Sequence, residues 1–386
     1  METNIFNKEL YLDPFGMFAE WRNSDNLPYD ASTNTFALSR YNDIHFALRS
    51  PHLFTSSFGG RANSIPQPFM VDVDDPEHRI QRAIVEKSLT PSSVGKHYSY
   101  LQSVLDTCIG DAAGAGEIDV VTNIAQTLPV NFVGSMLGIP SNDFPLLRHW
   151  GEAMVEGADG WENVTDETVA AVIHWFEYFD DLYRSGFWDE GDDLVHLLVS
   201  AHRGGVITYE EARGNALAIL IGGNETAKYL LSGVLHLYAS DPTVFNKFLV
   251  DSPSRDAITN EIFRYISPVV SSARRATKDV LVGDEVIPSG SQVMLFLLSG
   301  NRDARKFSAP DHFAPFSNSQ QHLSLGFGPH YCIGASLAKI QIQCLLDYMI
   351  SHNVDIEISR EALPGYKYST FLRGIRHMTA SITINR

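Results

Sequence analysis

The chain has 386 residues, of which 44% are hydrophobic and 19% charged, so it predicts a globular protein with a large core and excludes a disordered chain. The formal net charge of −17 excludes an extended nucleic-acid-binding surface, because such surfaces depend on clustered Lys and Arg. The three cysteines form no CxxC pair, which argues against a disulfide framework or a cysteine-rich zinc site and favours a reducing compartment.

Targeting and membrane signals are absent from the sequence pattern. The N-terminus, METNIFNKELYLDPFG, carries acids and a proline where a signal peptide needs a basic start and an apolar run. Apolar stretches such as NALAILIGG extend for about nine residues, well short of the roughly 20 that cross a bilayer. We therefore expect a soluble, cytoplasmic protein without a membrane anchor.

The predicted elements are mostly helical. The chain opens with a helix over residues 15–23, a strand over 34–40 and a helix over 41–50. Helical spacing then recurs over residues 78–89, 94–113, 120–138, 165–186, 191–205 and 209–238. Extended segments follow at 280–296, with 283–290 as the turn, and at 354–359 and 378–385. This order predicts a mainly α protein with small β-sheets in one domain, residues 1–386, because the regular strand and helix alternation of a doubly wound fold is missing.

One loop places a cysteine among glycines. In SLGFGPHYCIGASLAK, residues 324–339, three glycines and Pro329 allow unusual backbone dihedrals and a close approach to a flat ligand. Cys332 stands just before a helical pattern, where free N–H groups and the helix dipole stabilise a thiolate. The loop therefore presents a candidate metal-binding sulfur.

Three other structures or functions are conceivable for this loop from its residues alone. A dinucleotide-binding loop needs GxGxxG after a strand, and the spacing of GFGPHYCIG excludes it. A nucleophile pair of Cys332 with His330 stays open, since nearness in sequence does not establish contact. A packed core cysteine is the plain alternative, because free cysteine is among the most buried residue types.

The whole string decides between these alternatives. GFGPHYCIGxxLAK resembles the haem-binding signature of the cytochrome P-450 family. The resemblance implies the cytochrome P-450 fold, with α-rich and β-rich parts around haem b, Cys332 as the proximal iron ligand and His330 as a partner of a haem propionate. Thiolate ligation pushes electron density onto iron and favours cleavage of the O–O bond.

A second segment, IGGNETAKYL, resembles the distal-helix pattern of the same family. Gly222 and Gly223 each cost a helix roughly 1 kcal/mol against Ala, which a close ligand approach would offset. Glu225 and Thr226 supply a carboxylate and an alcohol able to relay protons. On the residues alone, Glu225 could instead face solvent and Thr226 bond back to the preceding turn.

Further segments match the family in chain order. NEIFRYISP places Glu261 and Arg264 at i, i+3, similar to the family's structural ExxR pair, although such pairs are usually ordinary surface ion pairs. The segment 271–290 resembles the strand region that carries an arginine to a propionate, with Arg274 as the best match and Arg275 as the fallback. In DDPEHRIQR, His78 and Arg82 lie at i, i+4 and can both point at carboxylates.

The resemblance also implies a pocket for a small organic substrate. Its candidate lining residues, each with an ordinary core role as the alternative, are Leu217, Ala218, Gly222, Val269, Val270 and Phe371. The variable loop over the haem corresponds to residues 51–70, and it mixes phenylalanines with polar residues, namely Phe54, Phe58, Phe69, Arg61, Asn63 and Ser64. This mixture suggests an organic substrate with some polar groups.

The function implied is a soluble bacterial-type haem-thiolate monooxygenase that inserts one oxygen atom from O2 by hydroxylation, O-demethylation or epoxidation. Alternatives are oxidative coupling, a peroxide-driven enzyme of the same fold, and a haem-based sensor or binding protein. The chain ends shortly after the family match, so electrons are expected from a separate ferredoxin, or flavodoxin, with its reductase. The expected docking patch for that acidic donor consists of Arg79, Arg82, Arg302, Arg305 and Lys339.

Overall fold

Helices dominate the architecture. A computed structural model describes residues 1–62, 64–157, 163–317 and 320–385, and within these ranges it contains thirteen α-helices. In chain order they are Phe15–Asn23 (α1), Tyr41–Leu48 (α2), Glu77–Val85 (α3), Pro91–Gly95 (α4), Tyr98–Ala112 (α5), Thr127–Met136 (α6), Phe144–Glu156 (α7), Asp166–Ser185 (α8), Leu194–Arg203 (α9), Tyr209–Ser240 (α10), Ser252–Ile266 (α11), Leu297–Gly300 (α12) and Ala335–Ser351 (α13). The expectation of a mainly α protein is confirmed.

The strands are short and form small sheets. They are Tyr29–Asp30 (β1), Thr35–Leu38 (β2), Phe54–Thr55 (β3), Ile118–Asp119 (β4), Ser272–Ala276 (β5), Val280–Val282 (β6), Glu285–Ile287 (β7), Gln292–Leu295 (β8), Val354–Ile358 (β9), Gly365–Tyr368 (β10), Arg373–His377 (β11) and Thr379–Ile384 (β12). The largest sheet has the order β1-β2-β8-β5-β3, and a three-stranded sheet has the order β4-β12-β9. Two hairpins, β6-β7 and β10-β11, complete the set among the described residues.

The 32-residue helix α10 runs through the largest hydrophobic core cluster. Thr208 caps its N-terminus: the hydroxyl accepts from the Glu211 N–H, and the Glu211 carboxylate accepts from the Thr208 N–H, which satisfies two free donors. Helices α6, α7, α9 and α13 pack around it. None of the helices in the described ranges is long and apolar enough to cross a membrane.

The five-stranded sheet fixes the position of Arg274. Strand β5 lies between β8 and β3, antiparallel to both, with Arg274 opposite Val293 and Arg275 opposite Thr55. Because successive side chains on a strand point to opposite faces, this register sends Arg274 and Arg275 to different sides of the sheet. A separate aromatic and aliphatic cluster, which includes Val270, packs on this part of the chain.

Several element boundaries differ from the sequence-based expectation. Residues 283–290, expected as one turn, contain strand β7, because Gly283 and Gly290 at positive φ make two separate turns. The helix expected over 94–113 is divided between α4 and α5. Helix α7 and strands β4 and β10 were not predicted, and tertiary packing supplies much of the stability of such short or weakly patterned elements.

Candidate functional site

The loop before α13 holds Cys332 in a fixed, partly exposed position. Gly326 and Gly328 have φ values of +68° and +72°, a region that glycine enters without a steric penalty. A Cβ on Gly328 would also collide with the Leu48 carbonyl oxygen. The Cys332 N–H donates to the Leu325 carbonyl at 2.8 Å, and α13 begins three residues later. The loop therefore presents the sulfur at the start of α13, as the sequence predicted.

The groups around Cys332 supply only part of the positive charge that would favour its thiolate form. Burial raises the pKa of the Cys332 thiol, and the Gly334 N–H and the charge of Arg82 lower it only in part. The Gly334 N–H at the start of α13 therefore favours the thiolate, as the position of Cys332 suggested, while burial opposes it. A coordinated metal ion deprotonates a thiol outright, so the site fits a metal-bound sulfur.

Four predicted cofactor-binding residues converge beside this loop. The His78 and His330 rings lie with their centroids 4.3 Å apart. Arg82, on the same helix as His78, donates from Nη1 to the Tyr331 carbonyl at 2.8 Å. Arg274 is close enough for its charge to depress the pKa of His330. The structure therefore brings α3, β5 and the cysteine loop together at one basic cluster.

The basic side chains of Arg274 and His330 in this cluster favour the binding of an anion. Burial lowers the pKa of Arg274 to about 10, although the nearby carboxylates of Asp74 and Asp72 raise it. Burial, followed by the charge of Arg274, lowers the pKa of His330 to about 3. An entering carboxylate would relieve both effects, because an opposite charge favours the charged form of each group. The fallback residue Arg275 lies elsewhere, with its guanidinium 4.3 Å from the Phe58 ring centroid.

Helix α10 presents an open stripe. Ala218, Gly222 and Thr226, at i, i+4 and i+8, lie on one face, and each keeps some exposure. A Cβ on Gly222 would meet nothing within 4 Å, whereas a Cβ on Gly223 would lie 2.8 Å from Val133 of α6. The two glycines therefore have different structural roles: Gly223 permits the close packing of α10 on α6, and Gly222 keeps the open face of α10 free of a side chain.

The acid and the alcohol on α10 point in different directions. Glu225 is 1% exposed, which excludes the solvent-facing alternative. Its carboxylate pairs with Lys228 at 2.5 Å, and burial raises its pKa while the charge of Lys228 lowers it. The Thr226 hydroxyl does bond back, donating to the Gly222 carbonyl at 2.5 Å on the open face.

The pair of Glu261 and Arg264 is a buried joint and not a surface ion pair. Both residues are 0% exposed, and two guanidinium nitrogens of Arg264 bond the Glu261 carboxylate at 2.7 and 2.8 Å. Arg264 also donates to the carbonyls of Asn301, Pro310 and His312. This network ties α11 to the segment that leads into the cysteine loop.

The pocket candidates divide into two groups. The Phe371 carbonyl accepts from the Val270 N–H at 2.8 Å, and Phe371 and Val269 pack on the small cluster of Val155, Tyr229 and Leu372. Leu217, at 6% exposed, and Val270, at 0%, are buried in core clusters. Ala218, Gly222, Val269 and Phe371 remain partly accessible. In the variable loop, Asn63 lies outside the described residues.

The docking patch needs a correction. Arg302 is 7% exposed, and its guanidinium lies 4.3 Å from the Tyr265 ring centroid and 4.7 Å from that of Phe15, so it cannot contribute to a docking surface. The Arg305 guanidinium is held by Asp303 and by the Arg22 carbonyl. Arg79 is exposed, whereas Lys339 is half-buried and pairs with Asp256.

Sequence reasoning missed Lys228 and Asn224. Lys228 is only 5% exposed, and a lysine inside the apolar run AKYLLSGVL was a signal that a buried carboxylate must face it. Asn224 is fully buried beside Gly151 of α7, where an added Cβ would lie 2.8 Å from the Asn224 amide nitrogen. No sequence pattern marked that contact between helices.

The residues present fit a haem bound at the cysteine loop. A soft sulfur donor lies at the start of α13, a basic cluster beside it fits two carboxylates, and the Gly222 face has room for a close flat ligand. A cysteine thiolate is one of the side chains that hold haem iron, and cationic side chains bind ionised carboxylates such as the two propionates.

Comparisons with known proteins agree with this geometry. A family model described as Cytochrome P450 matches residues 249–353. Cytochrome P450 109 of Bacillus spizizenii is 30% identical over 386 aligned positions, covering 96% of this chain and 92% of that protein. Cyclomarin C epoxidase CymV of Salinispora arenicola is 31% identical over 339 positions, 85% of each chain. The crystal structure of CYP109E1 from Bacillus megaterium in complex with testosterone superposes with a TM-score of 0.86 at 25% identity, covering 98% of this chain and 100% of that one.

Proposed function

The chain belongs to the cytochrome P450 family, and we propose that it is a haem b monooxygenase that inserts one oxygen atom from O2 into a small-to-medium organic substrate. The observation that carries the proposal is the convergence of Cys332, its glycine-rich loop and the basic cluster at the N-terminal end of α13. Bound haem would supply the iron at which O2 is activated.

We assign the cofactor-binding roles as follows. The Cys332 sulfur would be the proximal iron ligand, and His78, Arg82, Arg274 and His330 would bind the propionates. Support comes from the contact between the His78 and His330 rings and from the depressed pKa of His330, which burial and the charges of Arg274, His78 and Arg82 lower and a neighbouring carboxylate would raise again. Glu261 and Arg264 would hold the segment that precedes the cysteine loop.

The protein's own part in the chemistry lies on α10. The Thr226 hydroxyl would hold a proton on the open face of α10, and the Glu225 carboxyl would resupply it. Because Glu225 faces Lys228 and not Thr226, we expect its side chain to rotate, or ordered water to bridge the two groups, during turnover.

Substrate and reaction are proposed at the level of class. Ala218, Gly222, Val269 and Phe371 keep accessible surface and would line the pocket, with Leu217 and Val270 behind them. One relative is an epoxidase and one solved neighbour binds testosterone, which supports hydroxylation, O-demethylation or epoxidation of an apolar molecule.

The partners follow from the same proposal. We propose a ferredoxin, or a flavodoxin, with its reductase as the electron donor, in the cytoplasm. It would dock where the exposed Arg79 and Tyr331 and the half-buried Arg82 lie beside the cysteine loop. An acidic donor fits this surface because complementary charge accelerates encounter.

The experiment combines a spectrum with a turnover assay. Purified protein with haem should give a reduced carbon monoxide difference band typical of thiolate ligation, and Cys332→His should shift it to a band typical of imidazole. With a surrogate ferredoxin, reductase and O2, substrate should gain one oxygen atom. Product formed only with peroxide would favour the peroxide-driven alternative, and gas binding without any product would favour a sensor.

A further inference from the structure

Arg61 is a half-buried cation for which the described residues supply no ionic or hydrogen-bonding partner for its guanidinium. The group lies 5.9 Å from the centroid of the Phe371 ring. The protein has 46 Asp and Glu residues and only 29 Lys and Arg residues, so a partly buried arginine would ordinarily be expected to pair with a carboxylate. An arginine kept free of them is available to bind another anion.

The backbone at Arg61 is held in place by its neighbours. The Gly60 N–H donates to the Asp72 carboxylate at 2.8 Å, and the Gly60 carbonyl accepts from the Ala273 N–H at 2.9 Å. The Arg61 carbonyl accepts from the Ser64 hydroxyl at 2.9 Å. These bonds hold the backbone of the loop against strand β5 without a contribution from the Arg61 side chain.

Phe371 connects Arg61 to the open face of α10. Its side chain packs on the cluster of Val155 and Tyr229, together with Ile221, which directly precedes Gly222. Phe371 therefore links the Arg61 guanidinium to a cluster with residues of α7 and α10, in which Ile221 is the chain neighbour of the exposed Gly222.

We propose that Arg61 binds the carboxylate of the substrate, so that the enzyme acts on organic acids whose apolar body packs on Phe371. The planar guanidinium can hold a carboxylate through two parallel hydrogen bonds, which fixes orientation as well as affinity. The proposal rests on the monooxygenase function proposed above, since it names the substrate class of that site.

The chain offers a matched control in Arg275. Its guanidinium also stacks on a phenylalanine, with 4.3 Å to the Phe58 ring centroid, and it is also half-buried. Phe58 is 52% exposed, however, and belongs to none of the hydrophobic clusters among the described residues. Removing the charge of Arg275 therefore changes net charge and stacking in the same way, but away from the α10 face.

The test measures binding and not turnover. Isothermal calorimetry on the haem-loaded protein compares dodecanoate with dodecanamide, and 4-phenylbutanoate with its amide, for wild type, Arg61→Gln, Arg61→Lys and Arg275→Gln. At least one acid should bind wild type and Arg275→Gln about tenfold more tightly than its amide. Arg61→Gln should lose this preference, Arg61→Lys should retain part of it, and added salt should weaken it in wild type.

The proposal is overturned if neither acid is preferred over its amide, or if Arg61→Gln keeps the preference. It is also overturned if Arg275→Gln loses the preference equally. Thermal unfolding of each variant separates a binding loss from misfolding, and Arg61→Lys provides the second variant. The carbon monoxide difference spectrum of the same samples tests thiolate ligation independently, so a failed haem assignment and a failed carboxylate site give different results.

Discussion

The ammonium group of Lys228 lies 2.5 Å from a carboxylate oxygen of Glu225, one turn earlier on α10, and both side chains are almost wholly buried. A second carboxylate, that of Glu152 on α7, lies 4.0 Å from the same ammonium. Burial raises the pKa of Glu225, Lys228 lowers it, and Glu152 and Glu156 raise it again. Lys228 is thus the residue that stabilises a charged Glu225 next to Thr226.

Lys228→Gln should therefore destabilise the protein by about 3 kcal/mol, because it leaves a carboxylate buried without its partner. The double variant Lys228→Gln with Glu225→Gln should recover a large part of that loss. Denaturant unfolding of the haem-loaded proteins measures both effects. Lys339→Gln is the control, since its partner Asp256 is about half exposed and such pairs contribute about 0–1 kcal/mol. Equal losses in the two single variants would contradict the argument.

Thr226→Ala should lower the ratio of product formed to O2 consumed severalfold, because the open face of α10 loses its hydroxyl. Thr226→Ser should retain coupling. Ser232→Ala is the matched control: its hydroxyl bonds back to the Tyr229 carbonyl at 3.0 Å on the same helix, but it is fully buried. Oxygen electrode traces with product analysis give the ratio. Unchanged coupling in Thr226→Ala would remove the threonine from the proton path.

Arg264→Lys should destabilise the fold by about 3–5 kcal/mol, since a lysine cannot replace five hydrogen bonds to Glu261 and three carbonyls in a fully buried position. We expect poor haem retention as well, because those carbonyls precede the cysteine loop. Arg255→Lys is the milder control, because Arg255 lies on the same helix, pairs with Asp347 and is itself partly exposed. Unfolding midpoints and haem content per chain measure the contrast. A fully stable Arg264→Lys protein would refute the role of the joint.

His322 should contribute to acid sensitivity. Burial, followed by the charge of Arg264, lowers its pKa to about 4, whereas an unfolded histidine titrates near 6.5. Between pH 6.5 and pH 4, His322 therefore binds a proton in the unfolded chain but not in the folded chain. The free energy of unfolding should fall by about 1 kcal/mol for each pH unit in this range. His322→Gln should flatten that slope. His174→Gln, at an exposed position on α8, should not, and an identical slope in both variants would exclude His322.

Reduction by an acidic ferredoxin should slow as ionic strength rises, because salt screens the attraction at the docking surface. Arg79→Glu should lower the stopped-flow reduction rate severalfold at low salt and weaken its salt dependence. Arg184→Glu, on exposed helix α8, is the control of equal charge change. A rate that ignores ionic strength in wild type would remove the proposed surface.

Local patterns in the sequence were enough to predict the candidate site residues. The string around Cys332, the glycine pair with Glu225 and Thr226, and the spacing of His78 and Arg82 each depend on residues a few positions apart. Such patterns can be recognised in a single sequence because one loop or one helix determines their geometry. The same holds for α1, predicted over residues 15–23 and found as Phe15–Asn23.

The sequence by itself determined the fold class and the family, and it placed Cys332 in a glycine-rich loop directly before a helix, since a loop and a helix start are local features. Only the tertiary structure decided that Arg302 is buried, that Glu225 faces Lys228, and that Arg61 stands over Phe371 without a carboxylate partner among the described residues. Each of these depends on side chains distant in the chain or on burial. Charge type can be read from sequence, but whether water or a neighbour surrounds that charge is set by packing.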